Sequence, residues 1–153
     1  MSENENTAAE PQVEAVALTD SDGDGVVDAV GALEDNGDTV TFVDVDGDGT
    51  VDAVITTTQD GATTVAIDED GDGTVDVLLV DVDGDGTVDA VITTTEDGAT
   101  VMAIDEDGDG TPDLLLVDVD GDGTVDAIAT LDENGDIVEV VEVVDSPEAP
   151  AAE

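Results

Sequence analysis

The sequence predicts an all-β chain, in which short strands repeat and are joined by aspartate-rich loops and tight Asn/Asp-Gly turns. Three observations lead there. A nine-residue pattern, Asp-x-Asp-Gly-Asp-Gly-x-x-Asp, occurs six times, starting at Asp20, Asp44, Asp68, Asp81, Asp105 and Asp118. The segments between the loops are short and rich in Val, Ile and Thr, residues that favour a pleated, half-buried surface. Four Asn-Gly or Asp-Gly dipeptides, at 36–37, 60–61, 97–98 and 134–135, punctuate the longer segments. Such dipeptides accept positive φ and mark hairpins.

Self-similarity of this kind is read before anything else. The loop starts are separated by 24, 24, 13, 24 and 13 residues. A 24-residue step holds loop, strand, tight turn and strand; a 13-residue step holds loop and one strand. Together they make a 37-residue unit, present at 44–80 and again at 81–117. Ten strands follow from this scheme. Val77-Leu78-Leu79-Val80 and Leu114-Leu115-Leu116-Val117 are continuously apolar and are expected to be covered on both faces. The hairpin strands carry Thr and Ala and are expected to keep one face wet. The repeats are assigned to 20–144, with 1–19 and 145–153 as flexible acidic tails. An elongated β-repeat, as a solenoid or a meander, is the expected architecture, and a partial propeller is the alternative.

The loops have the chemistry of a hard cation site. Calcium takes six to eight oxygens at about 2.3–2.6 Å. Carboxylates at positions 1, 3, 5 and 9 supply them when the backbone curls inward. Position 6 is glycine for the sharp turn, and position 7 offers its carbonyl. The candidate ligands are Asp20, Asp22, Asp24 and Asp28 in the first loop, and Asp44, Asp46, Asp48 and Asp52 in the second. They continue with Asp68, Asp70, Asp72 and Asp76, then Asp81, Asp83, Asp85 and Asp89. The last two sets are Asp105, Asp107, Asp109 and Asp113, and Asp118, Asp120, Asp122 and Asp126. The expected cofactor is Ca2+, about six ions. A lone Asp-Gly-Asp-Gly reads as a solvated turn, but six matching copies do not. Magnesium demands stricter octahedral geometry, and zinc and copper favour His or Cys, both absent here.

Charge narrows the partners further. The chain has 153 residues, 44 of them acidic, with no Lys, Arg or His, so its formal charge is −44. No internal salt bridge between side chains is available, and a compact state repels itself. Hydrophobic residues make up 39%, enough for a thin core once the carboxylates are neutralised. Phosphate backbones and anionic membranes are recognised through Lys and Arg, so neither nucleic acid nor an anionic membrane surface is an expected partner. No apolar run approaches the ~20 residues of a spanning helix. Cysteine is absent, so no disulfide staples the fold. Without His, Cys, Lys or Tyr, an activated nucleophile is not expected, and the chain reads as a non-enzyme.

The first six loop positions resemble an EF-hand loop. The bidentate Glu that EF-hands place at position 12 is replaced by Gly31, Ile55, Leu79, Ile92, Leu116 and Ala129. The pattern with its following apolar strand, as in Asp81 to Ala90 and then Val91-Ile92, resembles the calcium sites of FG-GAP and VCBS repeats, as in the integrin α-chain propeller. The loop is also similar to thrombospondin type-three repeats, whose cysteines this chain lacks. The resemblance spans about 20–144 and implies calcium held in strand–loop–strand sites. It departs from FG-GAP blades in its 37-residue period and single aromatic, Phe42.

The expected function is that of a calcium-stiffened structural repeat at a surface or in a matrix. A soluble calcium buffer or sensor is the alternative, and a disordered acidic chain meeting mineral is a third reading. An extracellular or cell-surface setting is expected, although the first residues carry no visible export signal and the cytoplasm stays open. Self-association is the other expected interaction. The stretch 137–144, Ile-Val-Glu-Val-Val-Glu-Val-Val, reads as a last strand packing on the array, or as an adhesive edge that adds to the first strand of a neighbour and builds filaments.

Overall fold

β-Branched segments of five residues, bounded by loops that cannot continue a ladder, leave the backbone little choice but strand–turn–strand. The computed structural model of the chain describes residues 15–20, 23 and 25–143. Among them are eleven strands and no helix. They are β1 (Ala15–Thr19), β2 (Ala29–Leu33), β3 (Thr39–Val43), β4 (Ala53–Thr57), β5 (Thr63–Ile67) and β6 (Val77–Asp81). The rest are β7 (Ala90–Thr94), β8 (Thr100–Ile104), β9 (Leu114–Asp118), β10 (Ala127–Leu131) and β11 (Ile137–Glu142). All pair antiparallel with their sequence neighbours in one open sheet of order β1 to β11. The meander is therefore the arrangement formed.

Two expectations are corrected. Residues 15–19 were assigned to a tail but form β1, paired with β2 from Ala15↔Leu33 to Thr19↔Ala29. The run Ala-Val-Ala-Leu-Thr stands before the first loop as Val77–Asp81 stands before the fourth, and completes its ladder in the same way. The remaining tail assignments, 1–14 and 145–153, and Val144 at the end of the predicted last strand, lie outside the described residues. The apolar strands β6 and β9 were expected to be covered on both faces; both are only half-buried throughout. The reason is the single layer. Strands contact only their sequence neighbours, and Ala129 is the sole buried hydrophobic among the described residues.

Registers place directly paired residues on one face. One cross-strand row runs Ile55, Val65, Leu79, Val91, Ala103, Leu115 and Ala129. The adjacent row, on the opposite face, runs Val54, Ala66, Leu78, Ile92, Met102, Leu116 and Ile128. Both faces are thus apolar along the middle of the sheet. Neighbouring side chains shield one another in place of a core.

The loop spacing decides which edge of the sheet each loop occupies. A 24-residue step contains two strands, so the next loop returns to the same edge. A 13-residue step contains one strand, so the next loop lands on the opposite edge. Loops starting at Asp20, Asp44, Asp68 and Asp118 therefore share one edge, and those at Asp81 and Asp105 share the other. Same-edge loops two strands apart are stitched by backbone bonds. Asp44 N–H donates to Asp28 carbonyl at 2.8 Å, Asp68 to Asp52 at 2.9 Å and Asp105 to Asp89 at 2.9 Å.

Where a loop meets a hairpin turn, the two backbones touch. The turns close by bonds such as Gly61 N–H to Thr58 carbonyl, 3.0 Å, and only their glycines have positive φ. Gly84 and Gly71 occupy the same loop position with φ of 75° and 74°. A Cβ on Gly84 would lie 2.7 Å from the Gly61 carbonyl, whereas nothing lies within 4 Å of one on Gly71. Gly71→Ala should cost only the left-handed strain, about 1–2 kcal/mol. Gly84→Ala should cost clearly more, because the obstacle is backbone. Urea unfolding of both variants under identical conditions checks this; equal losses would mean that the loop–turn contact contributes nothing.

Candidate metal centre

Each loop closes on its own first aspartate. The glycines at positions 4 and 6 have φ between 71° and 94° in all six loops. Alternating left-handed residues with ordinary ones turns successive N–H groups toward one side, the concavity that binds an anion. Here the anion is the position 1 carboxylate. In the second loop Gly47 N–H donates to Asp44 Oδ1 at 2.8 Å and Gly49 N–H to Oδ2 at 2.9 Å. The same pair of bonds recurs at Asp20, Asp68, Asp81, Asp105 and Asp118.

The other carboxylates are held by the backbone too. Asp46 accepts from Asp48 N–H at 3.1 Å, and Asp48 accepts from Thr50 N–H at 2.7 Å. Asp76 at position 9 reaches back to accept from Glu69 N–H at 2.7 Å, and Asp113 from Glu106 N–H at 2.8 Å. Asp52, Asp89 and Asp126 make the corresponding bond to the position 2 N–H. The ladder draws positions 1 and 9 together: Asp52 N–H, for example, donates to the Val43 carbonyl at 2.8 Å. In the last five loops the carboxylates at 1 and 9 are consequently buried or half-buried, and those at 3 and 5 exposed.

Five loops gather three carboxylates so that one oxygen from each lies within 4.8 Å of the others. Twice a calcium–oxygen distance of about 2.4 Å is the widest separation two ligands of one ion can have, so each triad fits a single ion. The donors are all hard oxygens. The sets fall into two kinds. Asp44/Asp46/Asp48, Asp81/Asp83/Asp85 and Asp118/Asp120/Asp122 use positions 1, 3 and 5. Asp68/Asp70/Asp76 and Asp105/Asp107/Asp113 use positions 1, 3 and 9. Asp52, Asp89 and Asp126 stand outside the first kind, Asp72 and Asp109 outside the second. In the first loop Asp20 and Asp28 are described, whereas Asp22 and Asp24 lie outside the described residues.

The split was not anticipated from the sequence, yet it follows a visible residue. Position 2 is Val45, Val82 or Val119 in the first kind and Glu69 or Glu106 in the second. The threonine that recurs at position 7 offers a hydroxyl as well as its backbone. At Asp48 the Thr50 hydroxyl bonds the position 5 carboxylate alongside the Thr50 N–H.

No protein-family model matches the chain. No curated protein matches it. Among solved structures the chain is similar to a mutant of Staphylococcus aureus TarM, crystallised in complex with Fondaparinux, alpha-GlcNAc-glycerol and UDP. The likeness has 15% identity and a TM-score of 0.49, and covers 68% of this chain but 20% of that one. At that level it carries no argument about the loops.

Hydrogen bonding to the charged form lowers a carboxylate pKa. Asp48 is lowered by the Thr50 hydroxyl and N–H. At Asp105 burial pushes the pKa up, but N–H groups of Gly110, Gly108, Asp109 and Asp107 together outweigh it and leave it lowered. Asp132, in the last hairpin turn, is lowered by the N–H groups of Asn134 and Asp136. A lowered folded-state value means that the stabilisation is full above the unfolded pKa, about 3.9, and is lost as pH falls through the folded value. Carboxyl-resolved NMR titration of the folded chain should place the midpoints of these three groups below 3.9. Midpoints at or above it would show that the loop bonds do not form in solution.

Proposed function

We propose that the chain is a calcium-binding structural repeat protein whose fold depends on the ions it holds, and not an enzyme. The observation that carries this reading is the recurrence of carboxylate triads within 4.8 Å, five times over, in a chain with no Lys, Arg or His. Two unit charges at that distance repel by about 1 kcal/mol in water and ~3.5 kcal/mol at an effective dielectric of 20. The backbone bonds orient the carboxylates but bring no positive side chain, so a cation is the missing partner. Six calcium ions carry +12 and take −44 to −32, with the change concentrated along the two loop edges.

The magnitude decides what calcium is for. An ion that binds only the folded state, present at ten times its Kd, adds about 1.4 kcal/mol per site. Six such sites supply roughly 8 kcal/mol, the stability of an ordinary domain. A one-layer sheet with one buried hydrophobic among the described residues has little core of its own to set against this. This favours a clamp over a buffer or sensor. A sensor also needs a hidden apolar groove to expose, and here both sheet faces are already half-exposed. The setting we propose is extracellular, where sites of the order of 10⁻⁴–10⁻³ M are filled.

Calorimetry should find six ions per chain, five of them in two affinity classes that match the two kinds of triad. Asp85→Asn tests the reading most sharply, because Asn keeps the oxygen that accepts the Thr87 N–H, 2.7 Å, but loses the charge. Loss of about one ion is expected. An undiminished six, with unchanged or raised stability, would show that these carboxylates serve only the turn. In excess chelator the β signal should collapse and the chain expand. A chain equally compact without calcium would overturn the dependence of the fold on the ion.

A further inference from the structure

The edges of the sheet are unlike each other. β1 has five residues, with Leu18 66% exposed, whereas β11 has six, is exposed along its whole length and carries Val140, 56% exposed, and Val141, 51% exposed. Among the described residues β11 pairs only with β10. Its free backbone groups can be placed. Val143 N–H donates to the Asp126 carbonyl at 2.6 Å, and Ile128 pairs with Val141. Amides alternate in direction along an antiparallel strand, so Val141 faces β10 while Val140 and Glu142 turn their N–H and C=O groups outward. An open edge of this kind is a template for another strand.

The strand count bears on how two copies can dock. Eleven is odd, so β1 and β11 run in the same direction. A second copy added head to tail without rotation would present β1 parallel to β11, the weaker pairing. A twofold axis normal to the sheet instead brings two β11 strands together antiparallel and keeps each face continuous.

We propose that two copies of the chain join through β11, antiparallel about Val141, into one continuous sheet. The sequence of the strand selects this register. Centred on Val141, Glu139 lies opposite Val143 of the second copy, Glu142 opposite Val140, and Val141 opposite itself. No two Glu residues are directly opposed, a pairing that destabilises. The outward groups of Val140 and Glu142 meet their counterparts in four backbone hydrogen bonds. Centres on Glu139 or Glu142 oppose like charges. A centre on Val140 draws in Val138, which the register shift between Thr130 and Leu131 leaves without a partner in β10. That bulge blunts the start of the strand and leaves 139–143 as the usable edge.

The inference rests on the calcium reading for one thing, the lowering of charge between two strongly acidic chains. Sedimentation equilibrium in calcium should show the 15.3 kDa chain passing to twice that mass as concentration rises. Val140→Pro removes an outward N–H without touching charge or the ladder to β10, and should hold the mass at 15.3 kDa with the β signal retained. Should that variant not fold, amide exchange on the wild type decides: Val140 and Glu142 slow only in the concentrated sample, Val141 in both. A single mass at every concentration, equal association by folded Val140→Pro, exchange at Val140 and Glu142 that ignores concentration, or open-ended filaments would each overturn the proposal. Calcium loading is read separately by calorimetry. If calcium does not bind, the same mass series in high sodium chloride tests the edge alone.

Discussion

The structure depends on a carboxylate caught by the loop that carries it. At six places the first aspartate of a loop takes the N–H groups of the two left-handed glycines that follow, and the chain turns about it. The remaining aspartates then bond one residue group after another along the same turn. The bonds settle geometry but not charge. Backbone N–H groups are dipoles, and three nearly touching carboxylates with no cation in the chain stay mutually repulsive. The loops therefore have a shape that could hold an ion, and the crowding of their carboxylates is a cost to the fold around them.

That cost matters because the sheet has little else to offset it. Among the described residues, eleven strands in one layer bury a single hydrophobic residue, and each face relies on lateral contact between neighbouring side chains. The ladder is local: every pairing joins strands adjacent in sequence, so each turn of chain closes only a short loop. Stability in such an array is close to a sum of units and nearest-neighbour terms. In this arrangement damage at one loop loosens its neighbours before it unfolds the rest.

The alternation of 24 and 13 residues places the carboxylate loops on both margins. With the 24-residue spacing only, all loops would line one edge and all hairpin turns the other, and the repulsion would gather on one side. The two 13-residue steps move two loops across and set them against hairpin turns of neighbouring strands. Same-edge loops lie two strand spacings apart, about 10 Å. That is near the screening length at physiological salt, about 8 Å. The carboxylate groups of neighbouring loops therefore still repel one another, though less than those within one loop.

Much of this was written in local sequence. Periodicity of loop and turn, β-branched content and the lack of helix-forming runs were enough for an all-β repeat with ten of its eleven strands, because every pairing is between neighbours and a meander needs no long-range information. The first strand was missed because Ala15–Thr19 has no loop before it to frame it. The candidate ligands were legible as residues, since Asp at 1, 3, 5 and 9 is a pattern in one dimension. Their grouping was not. Whether position 5 or position 9 completes a triad is not set by the bond from the position 2 N–H to the position 9 carboxylate, which both kinds make, and the sequence marks the difference only by Val or Glu at position 2. The tertiary structure alone decided that the apolar runs of β6 and β9 lie half-open, because covering them needs a second layer and antiparallel neighbours in a single sheet cannot supply one. It also decided which loops share an edge, because parity of strand number is a property of the folded ladder and not of any one repeat.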